Sequence, residues 1–236
     1  AFENKDDEAI ELLIRYGAID SKNKISKIEQ NFHEVDIYEA ALTGNLHAVT
    51  HYHLLGASLN ALKGNKVSLL HLAIEGNNPK LLIYLLNKGL NIDLADKSGT
   101  SALILASMDN TRINILSILI SRNATLDQRN NRHTSALSMA IKRFNIQAAI
   151  LLVNKGANIN IRDGIDTPLS LTHKALVQTS YKPLILELRN LETLLLAKGA
   201  HVNTCDDNLQ WSPLMLTASH YQDTNSLKQI KLRPNP

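Results

Sequence analysis

His47 and His51 stand four residues apart, with His53 close behind. On a helix that spacing brings two imidazoles to one face, which is how a zinc site begins. Zincin-type hydrolysis would also need a glutamate directly after the first histidine as general base, and Ala48 stands there. With no third ligand and no base, the pair reads as solvated or structural. Cys205 is the single cysteine, and no base or second thiol accompanies it to activate a nucleophile. It reads as an ordinary thiol. Asp163-Gly164-Ile165-Asp166 has the look of a calcium loop, yet the further ligand series and the closing glutamate are missing. Asn123-Ala124-Thr125 fits a glycosylation sequon, at a position where a helix is expected to end. No glycine-rich phosphate loop, Gly-x-Ser-x-Gly elbow or recognisable pair of catalytic carboxylates occurs. The expectation is a chain that is not an enzyme and that uses no cofactor and no metal.

Composition narrows the alternatives. The 236 residues are 44% hydrophobic but only 4% aromatic, which suits closely packed helices better than a sandwich of strands. A formal charge of +3 is small for this length and gives no warrant for nucleic acid or a membrane surface as partner. One cysteine cannot form an intrachain disulfide, so a reducing compartment, the cytoplasm, is expected. Apolar runs such as Leu184-Ile185-Leu186 and Leu194-Leu195-Leu196 are too short to span a bilayer. The acidic start Ala1-Phe2-Glu3-Asn4-Lys5-Asp6-Asp7-Glu8 has the wrong chemistry for a secretory signal.

The elements that would position any site are announced by repetition. One phrase runs from two apolar residues through Gly-Ala to an Asn or Asp. It occurs at Leu54-Leu55-Gly56-Ala57 with Asn60, at Leu85-Leu86 with Gly89 and Asp93, at Leu152-Val153 with Gly156-Ala157 and Asn160, and at Leu195-Leu196 with Gly199-Ala200 and Asn203. At Leu119-Ile120 the glycine slot is Asn123, the second-best residue for the left-handed turn that ends a helix. From Gly56 the steps are 33 to Gly89, 34 to Asn123, 33 to Gly156 and 43 to Gly199. A second phrase precedes each by about half a period. It reads Ser68-Leu69-Leu70-His71-Leu72-Ala73, Ser101-Ala102-Leu103-Ile104-Leu105-Ala106 and Ser135-Ala136-Leu137-Ser138-Met139-Ala140. Thr167-Pro168-Leu169 and Ser212-Pro213-Leu214 restore the proline. The hydroxyl residue caps a first helix and proline is tolerated in its first turn. Ala40, Ala73, Ala106 and Ala140 let neighbouring helices approach closely.

In these two phrases the chain resembles the ankyrin-repeat family, whose unit is a β-turn and two helices opened by Thr-Pro-Leu-His-x-Ala. The resemblance covers about nine-tenths of the chain and implies an all-α ankyrin solenoid forming one domain over 1–236. About six repeats are expected, near 31–62, 63–95, 96–129, 130–162, 163–206 and 207–236, after a leading half-repeat at 9–18. In the family the histidine at the place of His71 bonds backbone across the turn, so its role here is structural. Two departures stand out: a polar insert around Asp20 to Glu34, and about ten extra residues near His173 to Pro183 that would lengthen helices and their connection. The leading fragment is apolar at Ile10, Leu12, Leu13 and Ile14, which for a terminal repeat suggests a piece of a longer protein.

The resemblance further implies a protein partner, bound through the concave face of turn tips and first helices, by a chain expected to be monomeric. Tip positions are Lys97, Ser98, Thr100, Asn131, Arg132, Thr134, Asp166, Asn208, Leu209 and Trp211. First-helix positions are Glu75, Met108, Asp109, Lys142, Arg143, Ser219 and His220. Trp211 is the only tryptophan, and Trp and Arg are common hot spots of interfaces. Lys142 and Arg143, with Arg129, Arg132 and His133, form a local basic patch suited to steering an acidic segment. The abundant Asn and Lys and the irregular inserts are similar to those of ankyrin proteins of intracellular bacteria. That similarity implies the alternative, a recruitment arm of a larger host-directed effector or enzyme.

Overall fold

Each opening phrase among the described residues becomes the capped start of a helix. The fold is a computed structural model that describes residues 36–54 and 56–202. It divides into two units, 1–92 and 93–236. In the first, α1 (Ile37–Thr43), α2 (Leu46–Leu54), α3 (Leu69–Glu75) and α4 (Pro79–Asn87) form two antiparallel pairs. A small hairpin, β1 (Leu62–Lys63) with β2 (Val67–Ser68), projects ahead of α3. The second unit holds three more pairs. They are α5 (Ala102–Ala106) with α6 (Ile113–Ser121), α7 (Ala136–Lys142) with α8 (Ile146–Asn154), and α9 (Pro168–Gln178) with α10 (Lys182–Ala197). Five helix pairs are thus present among the described residues. The expected half-repeat at 9–18 and the repeat at 207–236 lie outside them, as does Cys205.

Ser68, Ser101, Ser135 and Thr167 each accept the backbone N–H three residues on. One orphan donor of each of these four first helices is thereby satisfied, a contact worth about 1 kcal/mol. His71 is buried and its Nδ1 lies 2.7 Å from Ser68 Oγ and 3.4 Å from the Ser68 amide, so it completes a capping box. That is the structural role expected of it. At the other end of each pair the chain turns left-handed, with φ of +96° at Gly56, +83° at Gly89, +91° at Gly156, +94° at Gly199 and +60° at Asn123. The asparagine therefore does the work of the glycine it replaces, and this places the sequon inside a helix-ending turn.

Packing follows from the small residues. Ala40, Ala73, Ala106 and Ala140 are fully buried where α1 meets α3 in the first unit and α5 meets α7 in the second. In the second unit α7 also packs on α9, while α6, α8 and α10 follow one another in a second layer. Leucine at Ala140 would need a whole isobutyl group in that contact. Ala140→Leu is expected to lower stability by roughly 1–3 kcal/mol, measured by urea unfolding. An unchanged midpoint would put Ala140 somewhere other than a helix junction.

Polar rungs join repeat to repeat. Asn145 accepts the Ala148 N–H at 3.1 Å while donating to the Ser107 carbonyl at 3.1 Å, so one buried amide caps its own helix and ties it to the preceding pair. In the first unit Asn78 donates to the Leu42 carbonyl at 3.1 Å. The Asn or Asp that closes the repeat phrase forms a second rung: Asp93 accepts from Thr125 N at 2.8 Å, Asp127 from Asn158 N at 2.8 Å and Asn160 from His201 N at 2.8 Å.

The extra residues of the last described repeat are absorbed as helix. α9 has 11 residues where α7 has 7, and α10 has 16 where α8 has 9. A buried hydrogen bond fastens the enlarged pair, His173 Nε2 to Glu192 Oε1 at 2.6 Å. None of the described helices is long and apolar enough to cross a membrane.

Candidate protein-interaction surface

In the second unit the turns ahead of α5 and α7 are stiff fingers. Ala95 bridges Ser101 and Arg129 bridges Ser135 in antiparallel fashion. Inside the first finger one oxygen of Asp96 accepts from Ser98 N, Ser98 Oγ and Thr100 N, all within 2.8 Å. In the second, the amide oxygen of Asn130 accepts from Arg132 N and Thr134 N at 3.0 Å. The fingers are also joined side by side: Asn131 donates from its backbone to the Ser98 carbonyl at 2.9 Å and from its side chain to the Lys97 carbonyl at 3.0 Å. Ser98 Oγ and the Asn131 side-chain amide take part in these bonds, while the side chains of Lys97, Arg132 and His133 are exposed beyond them.

Two candidate positions need correction. Thr100 and Thr134 are buried, at 8% and 4% exposure, because each sits against the cap of the next helix and its amide is bound inside the finger. They shape the fingers and offer a partner no contact area. Met108 and Asp109 are half-buried at the end of α5. Asp109 caps a short 3-10 turn (Asn110–Arg112), and the Thr111 N–H and hydroxyl hold its carboxyl below the usual carboxylate range, helped by the Arg112 charge against a small burial effect. Lys142 and Arg143 are exposed at the end of α7. Asp166 is half-buried and accepts from Lys174 Nζ at 2.7 Å and Ser170 Oγ at 3.1 Å. Leu209, Trp211 and His220, with Asn208 and Ser219, lie outside the described residues. In the first unit Glu75 is exposed at the end of α3.

Capped first helices, left-handed second-helix ends and hairpin fingers together make the unit that the opening phrases implied. A family model described as ankyrin repeats (three copies) matches residues 37–130 and 70–163, more than half of the chain. The chain belongs to the ankyrin-repeat family. Two curated relatives give the family a wider setting. The phosphocholine transferase AnkX of Legionella pneumophila is 30% identical over 140 residues, 58% of this chain and 14% of the relative. A putative palmitoyltransferase, ZDHHC13, of Danio rerio is 26% identical over 167 residues, 70% of this chain and 25% of the relative. The chain therefore spans a quarter or less of either. Ankyrin repeats are in general protein-interaction modules.

The remaining chemical candidates take ankyrin-type structural places. His47 is exposed and His51 half-buried on α2, and among the described residues no group of three His, Cys, Asp or Glu side chains could hold a metal ion. Asp163 and Asp166 pair their backbones across a tight turn, N to O at 2.8 and 3.3 Å, with Gly164 at φ +68°. Their carboxylates are committed to Ser135 and to Lys174. The superficial calcium loop is the third finger of the second unit. The asparagine rungs and the His173–Glu192 bond were not found from the sequence. The only local signal for the first was an Asn two or three residues after the ends of α1, α3 and α7, at Asn45, Asn78 and Asn145.

Proposed function

We propose that this chain is a binding module, without catalysis of its own, that recruits a partner protein through the fingers at 95–101 and 129–135 and the ends of α5 and α7. One observation carries the reading. The fingers are held by bonds to their own Asp96 and Asn130 and to each other, while the side chains of Lys97, Arg132 and His133 are exposed outside that bonding and can vary in type. A surface built that way can change specificity without changing fold. We place the module in the cytoplasm as a monomer, with no cofactor and no nucleic-acid or membrane partner.

A photo-cross-linking side chain tests the site. Installed at Lys97, Arg132 or Arg143, it should capture a partner protein that the purified chain then binds in solution. Installed at Ser117, Ser121 or Asn154, exposed positions on the second-helix layer, it should not. Capture only from the second-helix positions would overturn the assignment.

A second reading has support of its own. Both curated relatives are named as transferases, and the chain spans 14% of one and 25% of the other. One of the two is bacterial, in line with the resemblance to ankyrin proteins of intracellular bacteria. In that reading the ankyrin stack positions a substrate for a catalytic domain elsewhere in a host-directed protein. A reading frame that continues into a transferase domain would favour it.

A further inference from the structure

We propose that the cationic patch centred on Lys142 docks an acidic polypeptide segment of the partner, an inference that rests on the finger-face reading above and gives that partner a chemistry.

Two repeats of the chain build the same lysine contact and end with different charge. Lys142 follows its helix cap by seven positions (135 to 142), and Lys174 does the same (167 to 174). Each ammonium reaches eight residues back to the side chain just ahead of that cap. Lys174 finds Asp166 there, at 2.7 Å, and is neutralised within its own repeat. Lys142 finds Thr134 Oγ1 instead, at 3.4 Å. A hydroxyl oxygen accepts the hydrogen bond but carries no charge, so the same construction leaves this cation uncompensated.

The surroundings add to the charge. Arg143 follows on the helix, and Thr134 Oγ1 lies 3.4 Å from the Arg132 carbonyl, which ties the Lys142 ammonium to the tip bearing Arg132 and His133. Arg132, His133, Lys142 and Arg143 are all exposed, and among the described residues no ion pair joins them to a carboxylate. The acidic side chains of the flanking elements are anchored within the stack, and among the described residues none forms an ion pair with these four cations. Asp163 is buried against Ser135, Asp166 holds Lys174, and Asp109 holds Thr111. Those same carboxylates flank the patch on both sides in sequence. They fit it to a short run of Asp or Glu better than to a long polyanion, whose many phosphates need an extended basic stripe.

A labelled Asp- and Glu-rich peptide, titrated by fluorescence anisotropy, is the probe. It should bind the intact chain at low salt and lose affinity as added salt shortens the reach of charges. Lys142→Ala with Arg143→Ala should weaken binding about three- to tenfold, as expected for two partly exposed charge pairs. Asp166→Asn should strengthen it by up to about fivefold, because it releases Lys174 in the same geometry. The replaced side chains of the double variant are exposed, and unchanged circular dichroism shows that it is folded. The proposal is overturned if a peptide with Asn and Gln in place of the acids binds equally well, or if the double variant binds as the parent does. It is also overturned if a single-stranded oligonucleotide or phosphatidylserine vesicles bind the patch more tightly than the acidic peptide. Any of these results, with partner capture from Lys97, Arg132 and Arg143 intact, leaves the finger-face reading standing and removes only the acidic partner.

Discussion

Gly76→Ala is expected to cost the first unit about 3 kcal/mol, the upper end of what one added methyl does in a packed junction. The reason is backbone against backbone. Gly76 has an ordinary helical φ of −73°, so alanine meets no conformational objection there. A Cβ at that place, however, would overlap the Leu42 carbonyl, and it would press on the Asn78 amide that donates to the same carbonyl. Neither the helix end nor the rung can move without releasing α1 from α3. Gly89→Ala is the control, because it has the opposite balance: φ is +83° but nothing lies within 4 Å of the added carbon. Its cost is conformational and should be about 1–2 kcal/mol. Urea unfolding followed by circular dichroism ranks the two, and an alanine at position 76 that is milder than one at 89 would refute the contact between Gly76 and the Leu42 turn.

Removal of Glu192 should act comparably on the second unit. Its carboxylate accepts from His173 Nε2 at 2.6 Å, with only 6% and 17% of the two side chains exposed. The carboxylate can only accept, so Nε2 carries the hydrogen. His173 Nδ1 is buried and has no protein partner. Glu192→Ala would therefore leave both ring nitrogens without a partner, at a cost of about 2–3 kcal/mol for stranded buried polar groups. Glu192→Gln keeps an acceptor oxygen and should lose less than half of that. Hydrogen exchange of the α9 and α10 amides locates the effect. Equal losses for Ala and Gln would mean that the helix pair depends on packing alone.

The helix pairs were legible because their signals are local. A hydroxyl before Leu-x-x-Ala caps a helix wherever it stands, and Asn123 tolerates a left-handed turn for reasons contained in one residue. What escaped depends on partners far along the chain. Asn145 earns its place through the Ser107 carbonyl, 38 residues earlier, and a lone asparagine near a helix start does not advertise a second bond. His173 and Glu192 are 19 residues apart inside a repeat whose extra length removes the register that would have aligned them. Thr100 and Thr134 fall at turn-tip positions in the repeat register. Their burial follows from the amide bonds to Asp96 and Asn130, which only the folded finger displays. Of the candidate surface, Lys97, Arg132, Lys142 and Arg143 were placed as exposed, and the difference between Lys142 and Lys174 became visible only once each was seen to reach back to its own turn.

The cage that Asp96 and Asn130 build inside the fingers has a kinetic consequence. A loop that must first find its bound shape surrenders conformational freedom on association, about 1–2 kcal/mol for each residue ordered. Here the backbone from 96 to 100 and from 130 to 134 has already surrendered it during folding. For the partner proposed to bind there, only the outer torsions of a few long side chains would remain to be frozen. Encounter would then proceed at the speed at which two rigid surfaces meet, and differences in affinity between partners should be written in how long each one stays.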